Sequence, residues 1–126
     1  MKKILIQDRF STDSHIDSLK NLLELEFKDK QIEFNLVFCL RGAKFPIIDY
    51  NLIISHPPIF DNCCVPLIEQ AVRKNVPVVF RYHTKYPHGN EIEAIAQNLG
   101  MDINYSSSGN WREVYGNIIK KFIEKD

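Results

Sequence analysis

Two short runs, Asn51-Leu52-Ile53-Ile54-Ser55-His56 and Pro77-Val78-Val79-Phe80, indicate the fold most directly. Both are apolar on consecutive residues, which is typical of strands covered on both faces of a parallel sheet, because half-solvated strands alternate apolar and polar residues. Similar short runs predict five strands, over the ranges Lys3–Gln7, Ile32–Phe38, Tyr50–Ser55, Val76–Arg81 and Met101–Tyr105.

Helix-like periods separate these strands. Asn90 and Asn110 each stand three residues before a glutamate, which is the pattern of a capping box, and Gly100 ends the helix that Asn90 begins. Two earlier helices are predicted to start near Ser14 and near Cys63. Alternation of strands and helices favours βαβ units and a parallel sheet.

The segment Cys39–Asp49 interrupts this alternation, because Gly42 and Pro46 argue against a full crossover helix. We expect one helical turn or an irregular connection there. The pattern as a whole predicts a flavodoxin-like α/β fold, with three α/β/α layers and a five-stranded parallel sheet in the order 2-1-3-4-5. The chain of 126 residues is expected to form a single α/β domain over 1–126.

Composition excludes several classes of function. Lys+Arg and Asp+Glu are balanced at 16 each, which argues against nucleic-acid or anionic-membrane binding, since such binding uses a basic face. No apolar run approaches the roughly 20 residues of a membrane span. The three cysteines lack C-x-x-C spacing, so we expect reduced thiols and a cytoplasmic protein.

Polar residues gather where the predicted strands end, at the edge where open α/β sheets bind ligands. Asp8 and His56 would be neighbours there, and a carboxylate beside an imidazole gives a general base or a pH-responsive pair. The alternative is that both only satisfy loop backbone. The candidate ligand or switch residues are Asp8, Arg9, Ser55, His56, Arg81, Tyr82, His83, Ser106, Ser107 and Ser108.

Specific cofactor motifs are missing from the sequence. Ser106–Ser108 precede a helix and either hold an anion or simply cap that helix. No Walker-type or G-x-G-x-x-G loop is present, so no nucleotide cofactor is predicted. Three histidines on neighbouring loops do not define a zinc site without further geometry, and no metal is predicted.

Aromatic residues suggest a protein partner. Trp111 and Tyr115 lie at the start of the last helix, and Tyr86 follows the fourth strand. Aromatic side chains often anchor interfaces, although core packing explains Trp111 equally well.

With these residues in place, the chain resembles the receiver domain of two-component response regulators over essentially its whole length. Lys3–Asp8 is similar to that family's first strand with its acidic end, and Asn51–His56 to its third strand. Pro77–Phe80 resembles the fourth strand, and Gly100–Ile119 the fifth strand and last helix.

The residues of phosphoryl transfer do not carry over in this resemblance. Receivers have two acidic residues after the first strand, and the second is Arg9 here. The phosphoacceptor Asp falls on His56, the switch Ser/Thr on Tyr82, and the Lys on about Ser107. The resemblance therefore implies a degenerate receiver, in which Mg²⁺ lacks its carboxylate ligands and no aspartyl phosphate forms.

A second similarity concerns Tyr50–Phe80, which resembles nucleoside deoxyribosyltransferases and TIR-like domains. In those families a Glu on this helix acts on an N-glycosidic bond, a position taken by Glu69 here. The leading hypothesis is a non-phosphorylatable, receiver-like signalling or adaptor module that binds a protein partner. The alternative is a small-molecule or nucleotide site at the carboxyl edge, possibly that of an N-glycosidic-bond enzyme.

Overall fold

A parallel sheet organises the protein. The computed structural model describes residues 1–10, 12–55, 64–83, 91–107 and 109–125. Within these ranges the strands pair in parallel, in the order β2-β1-β3-β4-β5. The predicted flavodoxin-like order is therefore confirmed. The strands are Lys2–Gln7 (β1), Ile32–Val37 (β2), Leu52–Ser55 (β3), Val78–His83 (β4) and Asp102–Ser106 (β5).

The central strands are covered on both faces, as their consecutive apolar residues predict. Ile4, Leu5 and Ile6 in β1 have no exposed area, and neither do Ile53 and Ile54 in β3. The edge strand β2 instead alternates between buried and half-buried positions.

Four helices pack on this sheet in the described part of the chain: Asp13–Glu26 (α1), Val65–Arg73 (α2), Glu91–Asn98 (α3) and Trp111–Glu124 (α4). The first starts at Asp13 rather than at Ser14, because Thr12 is its N-cap and its Oγ1 accepts from the His15 backbone N–H at 3.1 Å. Asn110 caps α4 as predicted.

The two faces of the sheet carry separate hydrophobic cores. On one face, α1 and α4 cover residues such as Ile4 and Ile6. On the other face, α2 and α3 cover residues such as Leu5 and Phe80. These helices and the sheet between them make the three predicted layers. No helix among the described residues has the length and apolar character needed to cross a membrane.

The connection between β2 and β3 has no α-helix. It makes two single 3₁₀ turns, Leu40–Gly42 and Ile47–Asp49. The Tyr50 hydroxyl fastens this segment, because it donates to Asn35 Oδ1 at 2.5 Å and accepts from the Phe45 backbone N–H at 3.2 Å. The predicted irregular crossover is confirmed.

The fourth strand lies two residues later than predicted. Instead of Val76–Arg81 it covers Val78–His83, and its end pairs with β5 as Tyr82↔Tyr105 and His83↔Ser106. Tyr82 and His83 are consequently strand residues, not residues beyond the strand. The side chains of Arg81 and Tyr82 point to opposite faces of the sheet, since strand side chains alternate.

Candidate functional site

The carboxyl ends of β1, β3 and β4 emerge together at one rim of the sheet. Gln7 pairs with Ser55, and Ser55 pairs with Phe80 in the next strand. Asp8 and Arg81, the residues that follow Gln7 and Phe80, are thereby brought close although 73 positions separate them. The expected convergence of these three strand ends is present.

A buried cluster of Asp8, Arg81 and Tyr115 occupies this rim. Arg81 Nη1 donates to Asp8 Oδ2 at 3.2 Å, and the Tyr115 hydroxyl donates to the same oxygen. The other carboxylate oxygen, Oδ1, accepts from the Arg9 backbone N–H at 2.6 Å. Asp8 is 1% exposed, Arg81 5% and Tyr115 0%.

Strand and helix periods explain how the three side chains meet. Asp8 continues the face of β1 that carries Ile4 and Ile6, which is the face that α4 covers. Arg81 shares its face of β4 with Val79, and Tyr115 lies on the buried stripe of α4.

The opposite charges of Asp8 and Arg81 reduce the free-energy cost of burying both side chains. An unpaired charge is very costly to bury, whereas a paired and hydrogen-bonded one is tolerated. The guanidinium also lies 5.5 Å from the Tyr115 ring centre. Burial, and after it the negative charge of Asp8, raise the pKa of Tyr115 well above its usual 10.0, so the phenol stays protonated and acts as a donor.

A second polar contact lies beside this cluster. The Ser55 hydroxyl donates to Gln7 Oε1 at 2.5 Å, and Gln7 Nε2 donates to the Phe38 carbonyl at 3.1 Å. Gln7 and Ser55 are buried. Ser55, predicted as a ligand or switch residue, therefore joins the ends of β1 and β3 through this hydrogen bond.

Aromatic side chains cover the rim cluster on its α1 and α4 side. Trp111 stacks on the His15 ring with 4.4 Å between centres and 3° between planes, and Phe10 meets Trp111 edge-on at 5.2 Å. Arg81 Cζ lies 6.0 Å from the Trp111 ring. Phe38 contacts Phe10 from the outside and is 49% exposed.

Several of these residues carry no functional signal in the sequence. His15 and Phe10 belong to α1 and to the segment before it, and no motif marks them. Gln7 looks like an ordinary strand residue. Position is the one indication for Gln7 and Phe10, since Gln7 is the last residue of the predicted first strand and Phe10 follows shortly after it.

Two predicted site residues lie in the core instead. Tyr115 was predicted to contact a partner, but it has no exposed area, because its hydroxyl is needed by Asp8. Tyr82 was predicted at the ligand or switch site, but it is 3% exposed and belongs to the hydrophobic core on the opposite face of the sheet. The prediction for Tyr115 is corrected on this ground, and Tyr82 lies on the opposite face of the sheet from Asp8 and Arg81.

The remaining predicted residues are more open. Arg9 and Ser107 are exposed, and His83 and Ser106 are half-buried. Glu69, the position that would act on a glycosidic bond, is exposed on α2. His56, Ser108 and Tyr86 lie outside the described residues, so the Asp8–His56 pair stays a prediction.

A surface groove of about 360 Å³ lies beside the aromatic residues, between α1 and the start of α4. Its walls are formed by His15, Leu22, Trp111 and Arg112 among others. In the part of the chain that the structure describes, no group of three His, Cys, Asp or Glu side chains is placed to hold a metal ion.

Comparison with known proteins adds a structural likeness. No family model and no curated protein matches the sequence. Among solved structures, a CheY-like response regulator receiver domain protein from Methanospirillum hungatei is 22% identical, with a TM-score of 0.63, over 98% of this chain and 95% of that one.

Two further solved structures agree with it. A two-component response regulator from Clostridium difficile is 20% identical, with a TM-score of 0.61, over 98% of this chain and 97% of that one. A response regulator receiver domain protein from Clostridium thermocellum is 16% identical, with a TM-score of 0.60, over 99% and 96%. The chain therefore has the fold of response regulator receiver domains, from end to end.

Proposed function

We propose that this protein is a receiver-like signalling or adaptor module that is not phosphorylated and acts by binding another protein. The fold supports the receiver-like part of this proposal. The sequence supports the second part, because Arg9 and His56 stand where phosphorylatable receivers would have carboxylates.

The main support for the proposal is that the Asp8 carboxylate is buried and fully hydrogen-bonded to groups of the protein. This residue is 1% exposed and already accepts from Arg81, Tyr115 and the Arg9 backbone. Mg²⁺ in phosphoryl-transfer sites is held by one or two carboxylates and by waters. A cation at Asp8 would have to displace a guanidinium from its buried partner, which is costly.

The cluster also provides a fixed charge of its own. The Arg81 guanidinium is held in the rim by Asp8 at 3.2 Å and lies over two aromatic rings. Its hydrogen bond to Asp8 ties β4 to β1 through side chains of the protein itself. We infer that the rim has one stable arrangement that needs no covalent modification.

The surface next to the rim supports binding to a protein. Phe38 is 49% exposed and Leu22 is 37% exposed, and half-buried Trp111 lies between the groove and the core. Aromatic and large apolar side chains of this kind form the centres of protein interfaces. Exposed Arg112 adds a polar edge to the groove.

Small-molecule binding at the rim has less support. Asp8 and Arg81, two of the proposed ligand contacts, satisfy each other beneath the surface. A ligand would have to separate them before it gained their hydrogen bonds.

The experiment is incubation of the purified protein with Mg²⁺ and acetyl phosphate, followed by intact-mass spectrometry. We expect no phosphorylated species, while a phosphorylatable receiver domain treated in parallel shows one. An acid-labile phosphate adduct on this chain would overturn the proposal. In that event the variants His56→Ala and Asp8→Asn would identify the residue that carries the phosphate.

A further inference from the structure

Two cysteine sulfurs meet on the face of the sheet that α2 covers. Cys39 Sγ and Cys64 Sγ are 3.7 Å apart, although the residues are 25 positions apart in the chain. A disulfide bond measures about 2.05 Å, so the sulfurs need to approach by roughly 1.6 Å. This pairing is not evident in the sequence, where Cys63 and Cys64 are the cysteines that stand together.

The fold explains why these two side chains meet. Cys39 follows the end of β2 and is the N-cap of the 3₁₀ turn Leu40–Gly42. Cys64 is the N-cap of α2, on the same face of the sheet. Both contribute to the same hydrophobic core, so the surrounding packing holds each sulfur near the other.

Cys39 and Cys64 differ in burial, and this difference favours disulfide formation in two steps. Cys39 is half-buried and so can meet a reagent from solvent, whereas Cys64 is 2% exposed and faces Cys39. In thiol–disulfide exchange the accessible thiolate attacks first, and a neighbouring thiol then resolves the mixed disulfide.

We infer that Cys39 and Cys64 form a reversible intramolecular disulfide, with a low-molecular-weight disulfide as the oxidant. Cys39 loses its proton and attacks one sulfur of the oxidant, which breaks the oxidant's S–S bond and releases one thiol. Cys64 then loses its proton and attacks Cys39 Sγ, which forms the protein disulfide and releases the second thiol. The oxidant gains the two electrons that the cysteines lose, and an excess of small thiol reverses both steps.

The bond would join the end of β2 to the start of α2. It would close a loop that contains β3 and the chain segment 56–63, which connects β3 to α2. A loop of this size is expected to raise the Tm by roughly 10 °C, because cross-linking lowers the entropy of the unfolded chain. This inference does not depend on the proposed function.

The experiment treats the full chain with oxidised glutathione under native conditions, blocks remaining thiols, and maps disulfides by mass spectrometry. We expect a monomer that has lost two hydrogens, a peptide pair that links Cys39 to Cys64, and a higher Tm that returns to its original value with dithiothreitol. Cys63→Ser is the matched control and should form the same bond, whereas Cys39→Ser and Cys64→Ser should not.

Three outcomes would overturn the inference. The first is that wild type and Cys63→Ser form no intramolecular disulfide under conditions that oxidise unfolded chains. The second is that Cys64→Ser still forms one at the wild-type rate, which would assign the bond to Cys63. The third is a linkage between two chains in place of a linkage within one. Mapping of wild type decides the matter even if a variant fails to fold.

Discussion

Replacing Asp8 by Asn tests whether the rim cluster stabilises the fold through charge. The substitution keeps the shape of the side chain, and an amide oxygen can still accept from Tyr115. It removes the negative charge that lies 3.2 Å from the Arg81 guanidinium, and the Arg81 side chain is only 6% exposed. The variant therefore loses the negative charge that Arg81 Nη1 contacts inside this buried cluster.

The expected loss of stability follows from this burial. Breaking a buried ion pair by removing one partner costs about 3–5 kcal/mol, because the remaining charge cannot regain its hydration. With an m-value of about 1.5 kcal/mol/M in urea, the unfolding midpoint should fall by roughly 2–3 M. A loss of this size is a large share of the roughly 5–15 kcal/mol that stabilises a typical domain.

The measurement is urea unfolding followed by circular dichroism and by tryptophan fluorescence. Trp111 is the chain's one tryptophan and lies 6.0 Å from Arg81 Cζ, so its emission reports on the rim itself. Glu33→Gln is the matched control. It removes the surface ion pair with Lys44, whose side chain is 66% exposed, and should leave the midpoint nearly unchanged.

A double variant completes the test. Asp8→Asn combined with Arg81→Met removes both charges, so its loss should be clearly smaller than the sum of the two single losses. If Asp8→Asn costs less than about 1 kcal/mol, or if the two losses simply add, the buried charge pair does not stabilise the fold.

Two further predictions concern α4. Because the pKa of Tyr115 is raised well above 10.0 in the folded protein, the unfolded chain loses this proton first as the pH rises, so stability is complete below about pH 10 and declines above it. Tyr115→Phe should flatten this decline, as measured by urea midpoints across alkaline pH; an unchanged slope would contradict the assignment. Asn110→Ala removes the N-cap that accepts from the Glu113 backbone N–H at 3.3 Å and should cost about 1 kcal/mol. Exposed Asn117→Ala, inside the same helix, should cost nothing, and equal losses would argue against capping.

The sheet could be predicted from the sequence because the apolar residues of its central strands are consecutive, which indicates burial on both faces. The runs around Ile53–Ile54 and Val78–Phe80 have no polar residue to place in water, so they belong inside a layered fold. The sequence of the edge strand β2 also indicates that one of its faces is only partly covered, since Glu33 and Asn35 alternate with buried Phe34. That alternation agrees with the absence of a helix between β2 and β3.

The rim cluster could not be predicted in full, because it depends on contacts between distant parts of the chain. Asp8 and Tyr115 are 107 positions apart. Arg81 looks like the last residue of its strand, since a lone arginine inside a parallel sheet is costly, and its pairing with Asp8 accounts for the burial of Arg81 within β4. Trp111 and Tyr115 stand i, i+4 in α4 and so share one face of that helix, but this spacing alone does not distinguish a buried tyrosine from one that contacts a partner.

The bare crossover after β2 has a consequence for how the protein behaves at high concentration. Strand β2 is an edge of the sheet, and edge strands present unpaired backbone groups that can recruit a strand from another molecule. Here the face next to that edge carries Glu33 and Lys44, whose side chains meet at 3.1 Å. We expect charges at this place to discourage edge-to-edge association, through a surface pair that contributes little to folding stability.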